Sequence, residues 1–141
     1  MIAQRTDLAA ADMADSSVWA GFETISEYSR KQAIDDGVLV DVSDTKAYRD
    51  TGFRYPIALT RAVWNIVESI PASKVGWESV DARLYDLLSM MRLASRRGGD
   101  TIVFDLLMTQ PHGKRKLWLK SICGPGDTAA PVITIMLPSE D

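Results

Sequence analysis

The chain has 141 residues, 46% of them apolar and 25% charged, with a net charge of −3. That length suits one domain with a core of its own, and no apolar run approaches the ~20 residues of a bilayer-spanning helix. A single cysteine, Cys123, and a single histidine, His112, exclude an internal disulfide and leave too few ligands for a Cys/His zinc site.

Residues 1–16 are rich in Ala and Asp and are expected to form a disordered tail, with one domain over 17–141. They lack the basic start and apolar stretch of a secretory signal, so the expected compartment is the cytoplasm. Val18, Trp19, Phe22 and Ile25 follow at near-helical spacing. Ser29 and Gln32 have the spacing of a capping box, which opens a helix that Gly37 would end. Val38–Val42 is a short strand candidate. Ser43 or Asp44 would cap a helix over 45–50, stopped by Gly52.

Pro56 stands where a first helical position would be. Leu59, Ala62, Val63, Ile66, Val67 and Ile70 then keep the 3.6 period, which predicts a helix from Pro56 to Pro71. Val80, Leu84, Leu87, Leu88, Met91 and Ala94 give the clearest amphipathic stripe. Arg92, Arg96 and Arg97 fall in its last turns, where cations suit the helix dipole, and Gly98-Gly99 ends it.

The last third reads as three strands. They are Thr101–Thr109, Lys114–Cys123 and Val132–Leu137, separated by Gln110-Pro111-His112-Gly113 and Gly124-Pro125-Gly126-Asp127. Ile102, Phe104, Leu106 and Met108 share one face of the first run. Val103 and Leu107 make its other face apolar too, so the strand reads as central or covered. The predicted fold is α+β, with helices packed on one face of a C-terminal three-stranded antiparallel meander.

No motif states a chemistry. Charge is uneven along the chain: residues 92–120 carry seven basic and two acidic side chains, whereas residues 1–91 carry nine basic and fourteen acidic ones. The candidate partner-binding residues are therefore Arg92, Arg96, Arg97, Lys114, Arg115, Lys116, Trp118 and Lys120. Basic groups neutralise phosphates or meet acidic surfaces, and an aromatic ring can stack on a base. The bland alternative is an edge strand kept soluble by lysines.

The alternative surface is acidic: Asp35, Asp36, Asp41, Asp44 and Asp50. Its spacing is not that of a calcium loop. His112 reads as a solvated turn residue and Cys123 as a small apolar one. The Gly-Pro-Gly-Asp turn lacks the Lys-Ser/Thr of a phosphate loop. Trp77 reads as a helix-start staple, and Trp64 as a residue reaching a core or a partner. Catalysis, cofactors and metals are not expected; an enzyme would have to gather residues distant in sequence, such as Tyr28, Arg30, Asp41 and His112.

Three segments are familiar in combination: Tyr28–Val42 (YSRKQAIDDGVLVDV), Gly52–Trp64 (GFRYPIALTRAVW), and Gly124–Asp127 with Pro131–Pro138 (PVITIMLP). Together they resemble a family of small uncharacterised domains carried on bacterial plasmids, integrative elements and phages. The resemblance brings no catalytic motif. It implies a mobile-element cargo protein, and with it a non-enzymatic inhibitor of a host defence complex, of anti-CRISPR or anti-restriction type, acting by steric occlusion. The partner would be a host protein or ribonucleoprotein complex. A nucleic-acid-binding accessory protein is the alternative, a membrane partner is not expected, and an open sheet edge would permit homo-oligomers.

Overall fold

A computed structural model of the chain describes residues 28–140. The expected tail, the Val18–Ile25 stripe and Asp141 lie outside the described residues. The first helix, α1 (Arg30–Asp35), opens on the predicted capping box: Ser29 accepts from the Gln32 backbone N–H, and the Gln32 side chain accepts from that of Ser29. Asp127 adds a second, remote cap. Its two carboxylate oxygens accept from the N–H groups of Arg30 (2.7 Å) and Lys31 (2.9 Å). These donors have no partner within the helix. Asp127→Ala is expected to cost about 1 kcal/mol, as loss of a cap does, measured by urea denaturation; Asp127→Asn should recover part of it.

Strand β1 (Leu39–Asp41) leads to α2 (Lys46–Thr51). Thr45, rather than Ser43 or Asp44, caps α2 by accepting from the Tyr48 N–H, and Gly52 ends it at φ 78°. The predicted Pro56–Pro71 helix divides in two. Ile57–Thr60 is strand β2, and only Arg61–Glu68 is helical, as α3. Ile57, Ala58 and Leu59 are buried on both faces between two neighbouring strands. An apolar run of this kind satisfies helical and buried-strand patterns alike. Thr60 is both the last residue of the strand and the cap of α3. The stripe from Val80 becomes α4 (Val80–Ala94), followed by a single 3₁₀ turn, Ser95–Arg97.

The C-terminal meander is present as β3 (Thr101–Gln110), β4 (Gly113–Pro125) and β5 (Pro131–Met136). It is not a separate sheet. The strand order is β1-β2-β5-β4-β3, so five strands form one mixed sheet. β5 runs antiparallel to β4 and parallel to β2, with Ile57 opposite Ile133 and Leu59 opposite Ile135. β4 is interior only from Lys120 to Pro125, where β5 pairs with it; Gly113–Leu119, with Lys114 and Lys116, pair with β3 alone and keep one open edge. β3, apolar on both faces, is the edge strand.

One sheet face carries Leu59, Phe104, Leu106, Leu119 and Ile135, which form the core with Val63, Val67, Leu84, Leu87, Leu88 and Met91 of the helices. Helix α1 departs from the one-sided arrangement. The Arg30 guanidinium donates to Thr134 Oγ1 (2.6 Å) and the Ile133 carbonyl (2.8 Å), and the Thr134 side chain lies on the opposite sheet face. Desolvation there pulls the half-buried Arg30 guanidinium below its usual range, against the pull of Asp41 and Asp127.

Arg83 of α4 fastens the helical layer to the sheet. It is buried, and its guanidinium donates to Glu78 Oε1 (3.0 Å), the Thr109 carbonyl (2.9 Å) and the Ile66 carbonyl (2.9 Å). Arg83, the one deeply buried arginine among the described residues, thus joins α3, α4 and the end of β3.

Candidate functional site

Along the middle of the β3–β4 face turned away from the core, Val103 pairs with Lys120, Asp105 with Trp118, and Leu107 with Lys116. Alternation along each strand places these six side chains together. Trp118 is 51% exposed and Leu107 61% exposed. The Lys116 ammonium lies 5.9 Å from the centre of the Trp118 ring and 3.7 Å from Asp105. It can therefore engage the ring face as a cation and also pair across the strands.

Trp77 extends this surface past the edge of β3. It is 87% exposed, and shares a shallow cleft with Leu107 and Lys114. Val75, two residues earlier, is also exposed. The helix-start staple expected of Trp77 is thus not formed: Ser79 caps α4 by accepting from the Ala82 N–H, and Trp77, two residues before the cap, leaves its ring exposed instead of packing on the first turn. Trp77, Leu107 and Trp118, edged by Lys114 and Lys116, form a ridge of exposed apolar side chains. Exposed apolar surface of this kind marks interaction sites. Trp64, by contrast, is half-buried against the core.

The eight predicted basic-patch residues do not form one patch. Lys114, Lys116, Trp118 and Lys120 share a face, and Arg115 stands exposed near the hairpin tip. Lys120 is tied down, donating to the Glu140 carbonyl at 2.7 Å. Arg97 donates to the Val103 carbonyl (2.9 Å) and so borders the β3 edge. Arg96 is exposed on the 3₁₀ turn. Arg92 is elsewhere, its guanidinium 5.9 Å from the Phe53 ring centre on the helical side.

Two of the five carboxylates of the acidic surface are paired with neighbouring lysines. Asp35 pairs with Lys31 (2.9 Å) and Asp50 with Lys46 (2.6 Å), each one helical turn away. Asp36 accepts from the Tyr28 hydroxyl at 2.5 Å, a bond that holds the phenol above its ordinary pKa. Asp41 accepts from the Ser43 N–H, and Asp44 is exposed. Two of five carboxylates in ion pairs make a poor imitation of a phosphate backbone.

The residues considered for a dispersed catalytic site do not converge. Arg30 and Tyr28 line a groove of about 620 Å³ on the second sheet face, and its polar groups are engaged in structural bonds. His112 is exposed in the β3–β4 turn, a full strand length from that groove. Cys123 is half-buried against the core. Among the described residues, no three His, Cys, Asp or Glu side chains gather as a metal site, and no helix is long and apolar enough to cross a membrane.

No curated protein and no solved structure matches this sequence. The profile of one family of unknown function, DUF6573, matches residues 15–141. That match spans all of the described α+β unit, Trp77, Leu107 and Trp118 included, and the chain belongs to this family.

Proposed function

We propose that this protein is a non-enzymatic protein-binding module that docks through the Trp77–Leu107–Trp118 ridge. The observation that carries the reading is the exposure of two tryptophans on one ridge, at 87% and 51%. Tryptophan dominates binding hot spots because it buries a large apolar area with few rotatable bonds. The flanking lysines favour a partner with carboxylates around an apolar pocket. The sequence resemblance to mobile-element domains supplies the setting: the partner would be a host defence complex, of CRISPR or restriction type, occluded by the docked module.

A second reading rests on the Lys116–Trp118 pair. An aromatic ring on an open sheet, beside lysines, can stack a base of single-stranded nucleic acid. Asp105 stands opposite Trp118 and the tethered Lys120 is spent on Glu140, so the ridge is less basic than such platforms require.

The test is capture from host lysate on the tagged full-length protein, with and without nuclease. A Trp77→Ser/Trp118→Ser double variant serves as comparison. A nuclease-resistant protein partner, retained by the wild type and lost by the double variant, is expected. Recovery of nuclease-sensitive material alone would move the assignment to nucleic acid. Equal recovery by both proteins would remove the ridge from the interface.

A further inference from the structure

A cavity of about 380 Å³ opens between the helical layer and the sheet, away from the tryptophan ridge. Its floor is the core face of the sheet at Ile102, Ser121, Cys123 and Ile133, and Phe53 and Met91 are among its walls. A volume of this size, mostly apolar with a few polar groups, is that of a small-ligand site.

Two observations specify the ligand. Ser121 is only 3% exposed, and its hydroxyl makes no hydrogen bond with the described residues. Buried polar groups normally find partners, and one that faces a cavity without one is a vacancy for a ligand atom. Arg92, Arg54 and one carboxylate, Asp100, stand at the lining, and among the described residues neither arginine is in an ion pair, so the two cations outnumber the acid. The exposed Arg92 lays its guanidinium over the Phe53 ring, 5.9 Å from its centre, beside Gly52. A guanidinium beside an apolar chamber suits a carboxylate, which it can hold through paired donors.

We propose that this cavity binds a small aromatic carboxylate, with the carboxylate on Arg92, the ring between Phe53 and Met91, and a polar substituent at Ser121. The site is independent of the docking ridge and goes beyond the proposed function.

The test is an amide NMR titration of the full-length protein with para-hydroxybenzoate, with benzoate and benzyl alcohol as comparisons. Saturating shifts centred on Ile102, Ser121, Cys123 and Ile133 are expected at millimolar ligand. Slower alkylation of Cys123 should accompany them. Arg92→Leu should weaken para-hydroxybenzoate about ten-fold, the loss of one charge-assisted contact. Ser121→Ala should weaken para-hydroxybenzoate but not benzoate. Both variants are checked for an unchanged fold by their remaining amide spectrum. Absence of shifts at these amides in the folded wild type would overturn the proposal. So would benzyl alcohol binding as tightly as benzoate, or Arg92→Leu binding unchanged.

Discussion

Exchange of Trp77 and Trp118 together for serine is expected to weaken partner binding about a hundred-fold or more, since hot-spot tryptophans each carry about 2 kcal/mol or more. The expected effect on stability is small. Both rings project from the surface, and surface substitutions commonly stay within about 0.5 kcal/mol. Affinity by calorimetry and melting by circular dichroism separate the two quantities. Trp118→Ser alone should also release Lys116 from the ring it overhangs, so the single and double variants need not add. An unchanged affinity for the double variant, with its fold intact, would sink the docking assignment.

Arg83→Met should be the most destabilising single change. Methionine fills much of the volume but leaves Glu78 and the carbonyls of Ile66 and Thr109 without their donor. Breaking a buried charged network costs about 3 kcal/mol or more, which for a domain of this size lowers Tm by roughly 10 °C. A pH series makes the origin visible. Burial pushes the Glu78 carboxyl up, but hydrogen bonds from Arg83 and Thr109 outweigh it and hold the group below its usual 4.5. Its contribution is then fully present above that value and is lost as pH falls through the depressed one. The stability gap between wild type and Arg83→Met should therefore narrow in acid, while the part due to the two carbonyls persists. A gap independent of pH would remove Glu78 from the network.

What could be read from the sequence was what is decided locally. The Ser29–Gln32 capping box, the stop at Gly52, the stripe of α4 and the β3–β4 hairpin each depend on residues a few positions apart, and each formed. β2 did not follow its periodicity, because Ile57–Leu59 is buried by strands from both ends of the chain. The error on β3 had the same source. Val103 and Leu107 look like the second face of a central or covered strand, but the strand order puts β3 at the edge, and their exposure shows that no layer covers that face.

The site divides along the same line. Alternation alone placed Lys116, Trp118 and Lys120 together. That Trp77 joins Leu107, and that Arg92 leaves the patch for Phe53, depends on contacts across thirty or more positions, which no spacing rule reaches. The acidic run misled in another way: its charges are real, but Lys31 and Lys46 cancel two of them one helical turn away.

The position of β5 sets the order in which this molecule can be made. The last strand in sequence is inserted in the middle of the sheet, between β2 and β4. Until residues 131–136 leave the ribosome, β1–β2 and β3–β4 are two half-sheets with no shared ladder, and each presents an unpaired, apolar edge. Closure then has to bring Ile57 and Ile133 together across most of the domain, a high-contact-order step of the kind that folds slowly. The nascent chain is most exposed to proteases and chaperones before β5 emerges, and a destabilising change in β5 should reduce the yield of folded protein more than one of equal cost in the β3–β4 hairpin.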